Sequence, residues 1–149
     1  MDDFGRRRVP VRLGLAYLAV TGAYVAVWIL LAPKGFYDTF PTGPAEWVSA
    51  LPPYNEHLAR DYGAAGLGLA VLAALAAVWM DRRVVQAAAL AHLAGALPHL
   101  VYHLTTTDSY STSDNVQSLI GLALPIVISL GLLVATRRPG PDRGHRGRT

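Results

Sequence analysis

Four long apolar runs without a charged residue constrain this chain more than any other feature of its sequence. They cover residues 13–33, 62–80, 84–107 and 115–136. Each run has about the ~20 residues that an α-helix needs to cross ~30 Å of hydrocarbon. Because a backbone in lipid must satisfy its own hydrogen bonds, such runs fold as helices. We therefore predict an all-α membrane protein, built as a bundle of four transmembrane helices.

The composition supports a membrane class and excludes several others. Of the 149 residues, 52% are hydrophobic and 15% are charged, which is too apolar for an ordinary soluble domain. The formal charge of +3 comes from arginines at the ends of the runs, without interleaved aromatics, so we expect no nucleic-acid binding. The chain has no cysteine, which excludes a disulfide, a thiol redox centre or a thiolate metal site within it.

The domain organisation follows from these runs. We predict a basic cytoplasmic N-terminus at 1–12, a four-helix transmembrane domain at 13–136 and a disordered, basic cytoplasmic tail at 137–149. The first apolar run exceeds the length of a signal-peptide core and precedes no clear cleavage site, so we expect it to be retained. The four spans are expected at about 13–32, 58–80, 84–104 and 116–136.

Basic residues are distributed unequally between the two sides of the predicted bundle. Eleven arginines fall on one side, whereas Lys34 and Arg60 fall on the other. Positive residues favour the cytoplasmic side of a membrane. We predict a multi-pass protein of the cell membrane, in contact with bilayer lipid, with both termini in the cytoplasm. The eleven are Arg6, Arg7, Arg8, Arg12, Arg82, Arg83, Arg137, Arg138, Arg143, Arg146 and Arg148.

The connection between the first two spans is rich in proline and aromatic residues. Gly43 as a cap, Pro44 at the first helical position and Glu46 in the first turn predict a short helix that ends before Pro52. We expect this helix to lie at the membrane surface, in the first extracytoplasmic loop.

Local patterns predict how two of the spans begin or pack. Gly66, Ala70 and Ala74 recur every four residues and predict a face where another helix approaches closely. Asp114, with Gln117 three positions later, predicts a capping box for the fourth span.

The third span contains three histidines, His92, His99 and His103. At 100° per residue, His99 lies about 20° from His92 and His103 about 40° from His99, so all three share one helical stripe. Because ionisable groups are costly in hydrocarbon, this stripe should face protein. Pro98 within the span should kink it near His99.

The second span carries a matching pair of polar residues near its outer end. His57 and Asp61 are four residues apart, as are His99 and His103, which is about 6 Å along a helix. In antiparallel neighbours the two pairs lie at the same depth, so we predict that these four side chains form one outward-facing metal site. Supporting polar residues are expected nearby: Tyr54, Asn55, Glu56, Arg60, His92, Tyr102, Asp114 and Gln117.

Several chemistries fit this predicted site. Nitrogen and oxygen ligands suit zinc, iron or manganese, whereas cuprous copper prefers sulfur, and the two methionines lie on the other side. Haem is less expected, and a quinone or lipid headgroup could use the same histidines with Tyr54 and Tyr102. The structural alternative is a polar network that fixes the register of the helices.

Two stretches carry a family resemblance that covers the four spans. They read LPPYNEHLARDYGAAGLGLAV and LPHLVYH. In these stretches the chain resembles small four-helix membrane proteins of actinobacteria, and its glycine-rich second span resembles the DoxX-like families. The resemblance implies a link to membrane redox or quinone-associated complexes and implies no specific catalytic residue.

These observations lead to one main functional expectation. The protein is expected to hold a divalent metal or a redox cofactor at an outward-facing His/Asp site. The alternatives are a quinone or lipid headgroup binding protein, or a non-catalytic accessory or structural subunit that contacts a membrane protein partner or a second copy. Whether the chain is an enzyme stays open.

Overall fold

The structure, a computed structural model, describes residues 4–41, 47–51 and 53–137. These residues form α-helices and short turns, and no strand occurs among them. The predicted tail therefore lies, apart from Arg137, outside the described residues. The helices are α1 (Arg8–Leu31), α2 (Pro33–Thr39), α3 (Glu56–Trp79), α4 (Arg82–Thr105) and α5 (Thr112–Ala135).

Four of these helices, α1, α3, α4 and α5, are long and apolar enough to cross a membrane. Large hydrophobic side chains cover their outer surfaces; Val20, Leu31 and Val78, for example, are between 68% and 80% exposed. Such a surface requires an apolar solvent. The prediction of an all-α bundle of four transmembrane helices is confirmed, and the protein is a multi-pass membrane protein.

Polar caps set where three of the spans begin. Asn55 accepts a hydrogen bond from the Leu58 amide at the start of α3, and Asp81 accepts two from the first turn of α4. The cap of α5 is Ser111, whose hydroxyl accepts from the Asp114 amide at 3.2 Å. The predicted capping box beginning at Asp114 was therefore wrong: Asp114 is the third residue of a helix that begins one turn earlier.

A short helix is present in the first connection, but it begins directly after α1. Pro33 occupies the first position of α2. A backbone amide at this position has no acceptor within the helix, so proline, which lacks the amide hydrogen, costs no hydrogen bond here. Part of the helix predicted to start near Gly43 and to end before Pro52, namely residues 43–46, lies outside the described residues. Its described part, 47–50, forms a turn and no helix.

The helices pack as two close pairs, α1 with α3 and α4 with α5, which join through α3 and α4. On α3, a Cβ at Gly66 would lie 3.6 Å from the Ala26 Cβ, and a Cβ at Gly22 on α1 would lie 3.4 Å from the Ala70 Cβ. The predicted close face is confirmed at Gly66 and Ala70. Ala74 is exposed. A helix has 3.6 residues per turn, so each step of four residues moves around the axis past the packed face, and by Ala74 the side chain has left that face.

The two ends of the bundle differ in composition. We call "basic end" the end where α1 and α4 begin and α3 and α5 end, and "histidine end" the opposite one. The main hydrophobic core lies toward the basic end, where all four spans contribute buried side chains. Its members are Phe4, Val11, Leu15, Leu18, Ala73, Ala76, Met80, Val85, Ala88, Ala89 and Leu132.

Arginines from neighbouring helices satisfy carbonyl groups at three helix C-termini. Arg12 Nε donates to the Ala77 carbonyl at 3.1 Å, and Arg82 Nε donates to the Thr136 carbonyl at 2.5 Å. At the histidine end, Arg60 Nη1 donates to the Leu30 carbonyl at 2.7 Å. Since the last carbonyls of a helix have no partner within it, these bonds tie each helix end to another helix.

Candidate functional site

The histidine end contains a row of rings, which we call the imidazole row: Tyr62, His99, His103 and Tyr110. The rings of His99 and His103, one turn apart on α4, have centroids separated by 5.0 Å. Tyr62 of α3 stands edge-on to His99 at 6.4 Å, and Tyr110 stacks on His103 at 5.8 Å. The row therefore links α3, α4 and the connection after α4.

The row lies at the edge of the bundle. His99 and His103 are half-buried, whereas Tyr62 is 54% exposed. Tyr102, which is 50% exposed, meets His103 edge-on at 5.8 Å. The imidazoles are thus shielded on one side by protein and accessible from the other.

Tyr110 holds the outer end of the row through its hydroxyl. That hydroxyl donates to the Trp47 carbonyl at 2.8 Å, and Asn115 Nδ2 donates to the Tyr110 carbonyl at 3.4 Å. Burial, and then the nearby Tyr102, raise the pKa of the Tyr110 hydroxyl. The hydroxyl consequently stays protonated and remains a donor at neutral pH.

Trp47 connects the first long connection to the start of α5. Its indole Nε1 donates to Asp114 Oδ1 at 3.1 Å, and the Ser111 hydroxyl donates to Asp114 Oδ2 at 2.6 Å. We call Trp47, Tyr110, Ser111 and Asp114 the loop latch. It fixes the position of the Tyr110 ring against His103.

The other predicted ligand pair, on α3, is exposed. His57 Nε2 is 3.4 Å from Asp61 Oδ2, and the two side chains are 88% and 63% exposed. Gly63 faces α1, where a Cβ on it would lie 3.0 Å from Ile29. Around the helix axis, His57 and Asp61 are about 120° and 160° from Gly63, which turns them away from α1.

The structure therefore shows two pairs of predicted ligands, His57 with Asp61 and His99 with His103. Within the described ranges, no three histidine, aspartate or glutamate side chains lie close enough together to hold a metal ion. What the arrangement offers chemically is two neighbouring imidazoles beside three phenols. Imidazoles can ligate a metal or exchange protons, and phenols can donate hydrogen bonds.

Three predicted supporting residues stabilise helix ends. Arg60 forms an ion pair with Glu56 at 2.8 Å, and Asn55 caps the same helix. Tyr54 packs against Tyr37 with ring centroids 5.1 Å apart, and its buried hydroxyl has no hydrogen-bond partner among the described residues.

Two further predicted residues lie apart from the row. His92 is two turns of α4 nearer the basic end, about 10 Å from His99 along the axis. Its Nδ1 donates to the Ala88 carbonyl at 2.8 Å, which satisfies it within its own helix. Gln117 is exposed on α5.

Sequence reasoning missed Tyr62, Tyr110 and Trp47 as parts of the site. Tyr62 and Tyr110 lie near the ends of apolar runs and Trp47 lies in the first connection, all places where tyrosine and tryptophan are common because they prefer the membrane interface. This general preference does not indicate the specific contacts of the three side chains, because those contacts depend on tertiary structure.

Comparison with protein families, with curated proteins and with solved structures finds no match to this chain. The resemblance to the DoxX-like families stays a prediction.

Proposed function

We propose that this protein binds a divalent metal ion through His99 and His103. The observation that carries the proposal is the 5.0 Å separation of the two rings on one half-buried face of α4. Histidines four apart on a helix are the arrangement by which known zinc sites present two imidazoles to one ion. Zinc, iron and manganese accept such nitrogen ligands.

Two protein ligands leave several coordination positions for other molecules. A metal with open positions can polarise a bound molecule or activate a water, whereas a fully ligated metal is structural. The half-exposed Tyr62 and Tyr102 flank the open side and can donate hydrogen bonds to whatever completes the coordination. The proposed site would therefore hold a metal ion with coordination positions open to exchangeable ligands, as a chemically active metal requires.

Metal content of purified variants tests the proposal. We expect His99→Ala and His103→Ala to lose most of the metal retained after loading and desalting, measured by elemental analysis. His92→Ala is the matched control, since it removes an imidazole from the same helix that is bonded to its own backbone. Equal retention in all three variants would contradict the proposal.

The same measurement decides how many ligands the site has. His57 and Asp61 are exposed on α3, so we expect His57→Ala and Asp61→Ala to retain metal. Loss in these variants as well would instead support the four-ligand site predicted from the sequence, with α3 rotated toward α4.

A quinone headgroup is the second candidate. The observation that favours it is the exposure of Tyr62 and Tyr102 beside two imidazoles, because hydrogen-bond donors at the membrane interface suit the carbonyl groups of a quinone. Titration of metal-free protein with a short-chain quinone analogue tests it. Binding that His99→Ala abolishes would favour this candidate over the metal.

We further propose that the basic end faces the cytoplasm. The support is the seven arginines of the described chain at that end, against Lys34 and Arg60 at the other. Because the chain has no cysteine, single cysteines at the exposed Ser109 and Arg83 report sidedness directly. An impermeant thiol reagent on intact cells should label position 109 and spare position 83; the reverse pattern would invert the topology.

A further inference from the structure

A groove runs between α1 and α5 at the basic end. Its volume is about 240 Å³, and apolar side chains of both helices form its walls. Val11 and Gly14 line it from α1, and Ile128, Gly131 and Leu132 line it from α5; Arg7 lies at its mouth. The groove thus has apolar walls and one cationic group, Arg7, at its mouth.

Two glycines shape this groove. A Cβ at Gly14 would lie only 3.2 Å from Ile128, so this glycine lets α1 and α5 approach closely. At Gly131, one turn nearer the basic end on α5, a Cβ would meet nothing within 4 Å. Helices α1 and α5 therefore touch at the level of Gly14 and Ile128 and leave a hollow at the level of Gly131.

The position of Arg7 is fixed by its neighbours. It ends a single 3₁₀ turn, Gly5–Arg7, whose preceding residue Phe4 is 5% exposed within the main hydrophobic core. Because Phe4 anchors this turn, the exposed Arg7 side chain stays close to the groove. Gly14 lies seven residues further along the chain, about 10 Å deeper in the membrane.

The charge around the mouth is strongly positive. Arg6, Arg7 and Arg8 are consecutive, and Asp81 is the one acidic residue at the basic end within the described chain. The Asp81 carboxylate already accepts hydrogen bonds from two backbone amides at the start of α4. An external anion is therefore attracted to this surface.

We propose that this groove is a binding site for an anionic phospholipid. One acyl chain lies between α1 and α5, and the phosphate lies against Arg7 at the level of the headgroups. A basic group beside a groove between transmembrane helices is suited to anionic headgroups, each arginine near the surface adding about fivefold in affinity. An apolar chain fills the hollow at Gly131 without displacing any side chain.

The test compares two lipids on delipidated protein in nonionic detergent. Phosphatidylglycerol and phosphatidylcholine with identical acyl chains are titrated separately, and bound lipid is counted by native mass spectrometry. We expect retained phosphatidylglycerol and little phosphatidylcholine. Arg7→Gln should weaken phosphatidylglycerol binding about fivefold, whereas Arg83→Gln, an exposed arginine away from the groove, should leave it unchanged.

A second variant tests the apolar channel separately. Gly131→Leu adds a side chain to the hollow and should reduce lipid retention, whereas Gly121→Leu adds the same side chain to an equally open position elsewhere on α5. Equal melting temperatures of the two lipid-free variants establish that both fold. Equal binding of the two lipids, or unchanged retention in both Arg7→Gln and Gly131→Leu, would overturn the proposal.

Discussion

The basic half and the histidine half of this bundle are built from the same four helices but packed differently. In the basic half, Leu15 and Val85 have no exposed surface, and small residues such as Ala73 and Ala88 let the helices approach. In the histidine half, α1 and α3 stay in close contact at Gly66, while half-exposed rings fill the edge between α3 and α4. Dense packing thus coincides with apolar composition, and looser packing with ionisable groups.

This difference in packing indicates a division of roles along the membrane normal. Close packing makes substitutions costly, because the surroundings cannot adjust to a change of volume. A half-buried site tolerates side-chain changes and gives a ligand access. We therefore expect stability to depend mainly on the basic half and ligand chemistry to depend on the histidine half.

The largest effect is expected from emptying the core of the basic half. Leu15→Ala removes a fully buried side chain and should lower the free energy of unfolding by roughly 2–5 kcal/mol. Leu13→Ala is the matched control on the same helix, since Leu13 is 65% exposed. Unfolding in detergent measures the stability of both variants. Equal losses of stability would show that the buried and the exposed leucine of α1 contribute alike, which would contradict the role assigned to the core of the basic half.

Acidification should affect the histidine half selectively. Metal ligation requires unprotonated imidazoles, so each ligand loses about tenfold in affinity per pH unit well below the ordinary histidine value of ~6.5. Because such an imidazole is already half protonated at pH 6.5, each of the two ligands loses about fivefold between pH 6.5 and pH 5.5, and we expect metal affinity to fall roughly thirtyfold. Isothermal titration at several pH values measures this, and a pH-independent affinity would argue against histidine ligands.

Overpacking tests the close contact between α1 and α3 that extends into the histidine half. Gly66→Leu would force a side chain against Ala26 and should cost about 1–3 kcal/mol in stability. Gly68→Leu makes the same change two residues away, where a Cβ meets nothing within 4 Å. Thermal melting should separate the two variants; coincident curves would place the Gly66 face toward lipid.

The smallest expected effect concerns the loop latch. Tyr110→Phe keeps the ring on His103 but removes the hydrogen bond to the Trp47 carbonyl, at a cost of about 1 kcal/mol. Hydrogen exchange of the amides at 47–51 should accelerate, while metal retention stays close to that of the unmodified protein. Unchanged exchange would show that the Tyr110 hydroxyl does not hold Trp47, whose bonds to Asp114 and to the Phe40 carbonyl would then suffice.

Hydropathy predicted the four spans because each uncharged run has the length that a bilayer requires. The contact of Gly66 and Ala70 with another helix was also predictable, since small residues on one face have few other uses in a span. The cap of α5 was readable in Ser111 and Asp114, which are three positions apart, but the prediction began the helix at the carboxylate instead of the hydroxyl.

The geometry of the site was predictable only in part. Periodicity gives the angle between residues of one helix, so His99 and His103 were expected to be neighbours, as they are. It does not give the rotation of one helix relative to another. Gly63 packing on α1 sets that rotation for α3, and no local pattern indicates that it leaves His57 and Asp61 exposed.

The arginine bonds at the helix ends have an electrostatic consequence for the imidazole row. The aligned peptide groups of a helix give its C-terminus about half a negative elementary charge, and a guanidinium neutralises it at the ends of α1, α3 and α5. At the end of α4 the Thr105 hydroxyl bonds the last carbonyls instead, and His103 lies in that final turn. The two described cations at the histidine end, Lys34 and Arg60, are paired with carboxylates elsewhere. Among the four spans of the described chain, α4 is thus the one whose negative end no guanidinium neutralises, and the metal ion proposed at His103 would supply a positive charge there.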